Sequence, residues 1–380
     1  MYPSKMSKSI FMSFYDILKT KLRELQGSYN LRVLLQKESD LVNLSSNDYL
    51  CIAKNLSQKF LKKAQSESLL SFGSSASRSV FGDEIFFKFE ELLENLYAPK
   101  RALLFNSGYH ANLGVLGAFA KLEDVFFLVD FSSHASMFHA LLGSKFLRFK
   151  HNDLNNLEEL LQIYTKKYRH VFVLSEGIFS IDGECCDILG LVKLKKRFSN
   201  VILYIDEAHS LLVRGENMLG ICHDLGILEN VDFIMLAFGK ALGSMGGAIL
   251  CNDIAKQFLI NHARTLIFST ALAPINVAFN HYVFLNRLDF KNAKEKLHDL
   301  ENAAKAMFQK YFNVLGSSQI LSLIFSSNEA VIRAQKAARE AGFLVSSFRY
   351  PSVPKTAPRL RICLNPELKI EQLEDFAKVL

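Results

Sequence analysis

Tryptophan is absent from this chain of 380 residues, and proline occurs only seven times. With no indole available, the 32 phenylalanines must carry most of the aromatic packing. No Pro-, Gly- or Ser-rich stretch reads as a linker, and no internal repeat is visible. No apolar run reaches membrane-spanning length, and the N-terminus lacks an apolar core followed by a small-residue cleavage site. The six cysteines form no C-x-x-C pair and sit at no zinc-ligand spacing with histidine. Reduced thiols in a cytoplasmic protein are the expectation, and the neighbouring Cys185 and Cys186 read as local packing. The excess of basic over acidic side chains is modest, a formal +7. Its clusters, Lys166 to Arg169 and Lys193 to Arg197, fall on helical patterns and read as solvated faces. A nucleic-acid footprint would need such residues gathered on one surface with aromatics between them, and none is seen.

Half of the residues are apolar, enough for a large core, and the length suggests more than one domain. Residues 13–26 read as an amphipathic helix, although Asp16 and Glu24 argue against a transit peptide; Met6 and Met12 leave the start open. Residues 41–50 read as a short strand and turn. Phe86, Phe89, Leu92, Leu93 and Leu96 form a helical stripe typical of core. Strands are then expected at 102–106, 125–130, 145–150, 170–175, 201–206, 232–238 and 247–251. Helices at 109–120, 134–143, 154–167 and 188–198 separate most of them. This alternation predicts an α/β protein, a mostly parallel sheet with helices on both faces. After about residue 275 the rhythm gives way to a long helical stretch, 275–312, then strand, helix, strand, strand, helix. The expected division is a helical arm over 1–45, a large domain over 46–280 and a smaller C-terminal α+β domain over 281–380.

Two expected strands end abruptly at one ionisable residue each. V-I-L-Y-I-D stops at Asp206, and D-F-I-M-L-A-F-G-K stops at Lys240, before the glycine-rich A-L-G-S-M-G-G. Parallel sheets bind ligands at the carboxyl ends of their strands. An amine and a carboxylate delivered there suit pyridoxal 5'-phosphate (PLP): the amine forms a Schiff base, and the carboxylate pairs with the pyridine nitrogen. Other strand ends add polar groups. F-N-S-G-Y-H-A-N at 105–112 places Ser107, Gly108 and Tyr109 at a helix start suited to phosphate, or makes an ordinary βα turn. His134, in S-S-H-A-S, can cap a helix or stack on a flat cofactor. Ser180, in S-E-G-I-F-S-I-D-G, can contact a phenolic oxygen or serve as a turn serine, and His209 can reach the same edge. The letters D-E-A-H at 206–209 also occur in helicase-type ATPases. Those need an earlier G-x-x-x-x-G-K-[ST]; here Gly239–Lys240 comes later and is followed by Ala241.

Together and in this order, S-N-D-Y-L, G-S-S-A-S-R, F-N-S-G-Y-H-A-N, S-H-A-S, H-N-D-L, S-E-G-I-F-S-I-D-G, I-D-E-A-H, F-G-K-A-L-G-S-M-G-G, F-S-T-A-L-A-P and P-R-L-R resemble the α-oxoamine synthases, PLP enzymes of fold type I. The resemblance implies a homodimer with shared active sites. Lys240 would be the Schiff-base lysine and acid/base, and Asp206 the partner of the pyridine nitrogen. His134 would stack on the ring, Ser180 and His209 would contact its phenolic oxygen, and Ser107, Gly108 and Tyr109 would lie near the phosphate. Thr270 would reach the phosphate of the neighbouring subunit. Arg359 would hold the amino-acid carboxylate, with Asn47 and Arg349 close by. Three departures stand out: Ala237 where a hydroxyl residue is usual, Cys186-Asp187-Ile188 after the D-G turn, and G-S-S-A-S-R for a glycine-richer loop. The implied reaction joins a small amino acid to an acyl thioester with loss of CO2. In chain length and compact ends the sequence looks most like the family members that take L-alanine and a pimeloyl thioester, which implies those substrates, carried on CoA or acyl-carrier protein. Glycine with acetyl-CoA is the runner-up, and a catalytically inactive partner protein is the non-enzyme alternative.

Overall fold

The computed structural model describes residues 13–34, 40–80 and 82–380; Met6, Met12 and part of the expected N-terminal arm lie outside them. In chain order the strands are β1 (Val42–Asn43), β2 (Arg101–Phe105), β3 (Val125–Asp130), β4 (Phe146–Phe149), β5 (His170–Glu176), β6 (Val201–Asp206), β7 (Phe233–Ala237), β8 (Gly247–Cys251), β9 (Val314–Leu315), β10 (Ile320–Ile324), β11 (Phe343–Leu344), β12 (Ser346–Phe348) and β13 (Arg359–Cys363). Seven of them form the main sheet, in the order β2-β8-β7-β6-β5-β3-β4. Only β8 runs against its neighbours, β2 and β7. A second sheet, β12-β13-β10-β9, is antiparallel, and β1 pairs with β11 far along the chain.

The main-sheet strands are nearly all apolar because both of their faces are covered. Successive residues alternate between two cores. Phe126, Leu128, Val171, Val173, Leu203 and Ile205 enter one. Phe127, Val129, Phe172, Leu174 and Tyr204 enter the other. Phenylalanine does fill the aromatic role: Phe172 lies 5.3 Å from Phe119 and 5.1 Å from Phe127, ring centre to ring centre. Contacts of this kind add roughly 0.5–1.5 kcal/mol each beyond area burial.

The expected strands and helices of the central region are present to within a few residues. The stretch 275–312 is not one helix. It breaks at Asn286 into Pro274–Leu285 and Lys291–Phe308, joined by a 3-10 turn at Arg287–Phe290. Helices at Ile52–Ser66 and Asp253–His262 were not anticipated. The C-terminal part holds more short strands than expected. Among the described residues no helix is long and apolar enough to cross a membrane.

Candidate active site

The carboxyl ends of β3, β5, β6 and β7 open onto a cavity of about 220 Å³. It is lined by Ser107, Tyr109, Asn112, His134, Glu176, Asp206, Ala208, Ala237, Lys240 and Ser244, among others. Asp206 and Lys240 thus meet as the two strand ends suggested. Burial alone favours the neutral amine. It pushes Lys240 down to about 8, although Asp206 and Glu176 pull the other way; the guanidinium of Arg361 adds to the fall.

Asp206 is held in one orientation. Its Oδ1 accepts from the backbone N–H of Ala208 (2.9 Å), and its Oδ2 accepts from Asn112 Nδ2 (2.9 Å). The same amide nitrogen donates to Ser136 Oγ (2.9 Å), and Asn112 Oδ1 accepts from Tyr204 OH (2.6 Å). His134 caps the helix Ala135–Ala140. Its Nδ1 accepts from the Ser136 N–H (3.3 Å) and lies 2.7 Å from Ser136 Oγ, so the ring proton sits on Nε2. Asn112 therefore ties His134 and Asp206 into one network. Sequence reading missed its role; the available signal was its place one turn after Gly108 on the helix Gly108–Phe119. Burial lowers the pKa of His134 and drives that of His209 well below the ordinary histidine value, so both rings are neutral. His209 Nδ1 shares a proton with Tyr49 OH at 2.7 Å.

Ser107 caps the helix Gly108–Phe119, its Oγ accepting from the His110 N–H at 3.2 Å. Gly108 and Tyr109, the first turn of that helix, line the cavity, where a helix start favours an anion. The glutamate of D-E-A-H serves structure: Glu207 accepts from the N–H groups of Ile221 (2.8 Å) and Cys222 (2.6 Å).

A larger cavity, about 760 Å³, shares Lys240 and His134 with the first. Its walls include Asn47, Ser180, His209, Arg359 and Arg361. Here the structure departs from the expected role of Arg359. That guanidinium is buried and engaged, paired with Asp182 and donating to the Ala357 carbonyl at 2.9 Å. Arg361, two residues on, is the one drawn to the site. It donates to the Ser180 carbonyl (2.6 Å), to Asn47 Oδ1 (3.0 Å) and to Tyr49 OH (3.2 Å). Its charge is felt by both Lys240 and His209. Arg349 lines neither cavity and donates to Ser347 Oγ at 3.0 Å. Thr270 is exposed and also lines neither; its carbonyl accepts from Asn106 Nδ2 at 2.6 Å.

The donor set fits PLP. Two buried polar atoms of the smaller cavity, Glu176 Oε1 and Ser244 Oγ, have no protein partner, and an amine, a carboxylate and a helix start converge there. A mostly parallel sheet that presents such a site defines a PLP-dependent enzyme of fold type I. The aminotransferase class I and II family matches residues 39–380. A curated relative from Pasteurella multocida, described as "Putative 8-amino-7-oxononanoate synthase", is 36% identical over 91% of this chain and 90% of its own. One of the same description from Glaesserella parasuis is 38% identical over 91% of each. Among solved structures, 8-amino-7-oxononanoate synthase from Francisella tularensis superposes with a TM-score of 0.76 at 25% identity, over 90% of this chain and 97% of that one. Serine palmitoyltransferase from Sphingomonas wittichii shares the fold, with a TM-score of 0.84 at 22% identity over 97% and 96%. The chain belongs to the aminotransferase class I and II family and, within it, to the α-oxoamine synthases, PLP-dependent acyltransferases.

The lowered pKa of Lys240 has a direct consequence. Only the neutral amine attacks an aldehyde, so capture of added PLP by the apo protein should speed up as pH rises through about 8 and then level off. An unperturbed lysine would give a midpoint near 10.4. Asp206 favours the charged amine, so Asp206→Asn should move the midpoint lower. Stopped-flow absorbance of the captured cofactor reads this out, and a midpoint above 10 would contradict the assignment.

Proposed function

We propose that this enzyme condenses L-alanine with a pimeloyl thioester, releasing CO2 and the free thiol to give 8-amino-7-oxononanoate, a step of biotin synthesis. The size of the second cavity carries the reading. About 760 Å³ opening onto Lys240 gives room for a long acyl chain, far more than an acetyl group needs. The curated relatives named above support it.

Bound PLP would supply an electron sink for charge developing at the amino acid's α-carbon. Lys240, Asp206 and the helix start at Ser107 would hold it. Arg361, with Asn47 beside it, holds the substrate carboxylate, and Asp182 with Arg359 braces that wall. Lys240 Nζ removes the α-proton in its neutral form, which the fall in its pKa to about 8 makes far more accessible than in an ordinary lysine. The α-carbon then bonds to the thioester carbonyl carbon, the C–S bond breaks and the thiol leaves. Loss of the carboxylate as CO2 follows, and a proton returns to the α-carbon. Neutral His209 and the Ser180 hydroxyl would serve the phenolic oxygen of bound PLP, and His134 would pack against it. The enzyme works as a homodimer in which Thr270 serves the neighbouring site. In support, Thr270 stands clear of its own chain's cavities, and the helix Phe14–Gly27 exposes Phe14, Tyr15, Leu18 and Leu22. An active monomer in light scattering would remove this part.

Alanine, glycine and serine crossed with pimeloyl, acetyl, succinyl and palmitoyl thioesters test the substrates. L-alanine with a pimeloyl thioester should show the highest kcat/KM; faster turnover of glycine with acetyl-CoA would overturn the proposal. The two arginines separate in the same assay. Arg361→Leu should raise KM for alanine by roughly 10- to 150-fold, the worth of a hydrogen bond to a charged group. Arg359→Leu leaves the half-buried Asp182 without its ion-pair partner, so its main cost should appear in thermal unfolding. The reverse pattern would return the carboxylate to Arg359.

A further inference from the structure

The large cavity contains one cation with no work to do in the scheme above. Arg148, near the end of the edge strand β4, lines the same cavity as Lys240. Its guanidinium carbon lies 4.0 Å from the ring centre of Phe138 and 5.3 Å from that of Phe131. Both rings belong to the segment that carries His134: Phe131 follows β3 directly, and Phe138 lies in the helix that His134 caps. Among the described residues Arg148 has no hydrogen bond and no carboxylate partner; it is exposed, and its guanidinium packs on two aromatic rings. The cavity's other cations are committed. Arg359 is neutralised by Asp182, among the described residues the only carboxylate on these walls, and the scheme above assigns Arg361 and Lys240 to the amino acid. Nearby, Ser133 Oγ is buried on the same wall without a partner, a free hydroxyl donor. A cation left unpaired on the wall of a substrate cavity marks where that substrate is negative.

We propose that Arg148 is the anion anchor for the acyl donor: its guanidinium grips an oxyanion of the thioester while the reacting carbonyl lies at Lys240. The inference rests on the acyl-thioester reading of the site and adds a recognition residue to it. Two parts of such a donor carry the required charge, the far carboxylate of a dicarboxylic chain and the phosphate of a pantetheine carrier. Guanidinium chemistry suits both.

Four acyl donors distinguish them: pimeloyl-CoA, octanoyl-CoA, and the pimeloyl and octanoyl thioesters of N-acetylcysteamine, each assayed as substrate or as competitive inhibitor of the holoenzyme. Arg148→Gln should weaken binding by about 5- to 30-fold where the gripped anion is present, a range set by a charge-assisted bond that is partly exposed. If the anion is the chain's carboxylate, both pimeloyl donors weaken and neither octanoyl donor does. If it is the phosphate, both CoA donors weaken and neither N-acetylcysteamine donor does. In either case Arg148→Lys should recover part of the loss, while KM for alanine and the visible spectrum stay unchanged. Changes below twofold for all four donors, or an equal loss that includes octanoyl-N-acetylcysteamine, would overturn the proposal. Failure of the parent reading looks different. The wild type would then be inactive with pimeloyl donors and active with acetyl-CoA, and the variant would be scored on acetyl-CoA against acetyl-N-acetylcysteamine. A loss on acetyl-CoA alone would support a phosphate anchor, and no loss on either would end it.

Discussion

Lys240→Ala is expected to cut turnover by at least about ten-thousand-fold and to leave no cofactor covalently attached. The size of the expected loss reflects two roles proposed for one atom, nucleophile and acid/base. Groups that act as a unit lose nearly everything when one member goes. No nearby group can substitute. Among the described residues Lys240 is the only lysine lining either cavity; the two histidines there have no primary amine for a Schiff base, and their lowered pKa makes them weak bases. Unfolding is not a rival explanation, because removing a buried amine whose charged form is already disfavoured should cost little stability. Borohydride reduction followed by mass spectrometry of the peptide containing position 240 gives the first readout, and thermal unfolding gives the control. A reduced adduct in the variant, or turnover within tenfold of the wild type, would remove Lys240 from the mechanism.

Asp206 and Lys240 were legible because of a property of parallel sheets. A strand buried on both faces is apolar until it emerges, so the first ionisable residue after such a run marks the emerging end. The choice between the two arginines was not legible, for an equally physical reason. Arg359 and Arg361 lie two apart on β13, so the pleat sends both to the same face, and strand periodicity cannot choose between them. The choice is made by residues distant in sequence: Asp182 claims Arg359, while Asn47, Tyr49 and Ser180 claim Arg361. Asn112 was hidden because its partners, Asp206, Ser136 and Tyr204, come together only in the fold. The helix Ile52–Ser66 was missed although a signal was present: Ile52, Leu56, Phe60 and Ala64 lie four apart on one buried face. By contrast, β9, β11 and β12 are two or three residues long, too short for an alternating pattern to show.

The claim of Asp182 on Arg359 belongs to a wider clamp, and Gly183→Ala should break it. Gly183 has φ +70°, and a Cβ there would stand 2.0 Å from the Ile320 carbonyl oxygen and 2.7 Å from its carbon. Both are backbone atoms of β10 that cannot swing aside. The Gly183 carbonyl accepts from the Ser317 N–H (3.0 Å) and from Ser318 Oγ (2.7 Å), and the Ile181 carbonyl accepts from Ser322 Oγ (2.8 Å). These bonds seat the segment carrying Ser180 against the second sheet, and Arg361 reads its own position from the Ser180 carbonyl. Adding one methyl group must therefore separate the segment from β10. A destabilisation above about 3 kcal/mol is expected, the sum of left-handed strain and an overpacked contact. Gly342→Ala is the matched control. Its φ is +92° but nothing lies within 4 Å of the added carbon, so only the strain of about 1–2 kcal/mol applies. Urea unfolding of the two variants measures the difference, and alanine KM should rise in Gly183→Ala alone. Equal stability losses, with alanine KM unchanged in both, would mean that the amino-acid pocket does not depend on this seating.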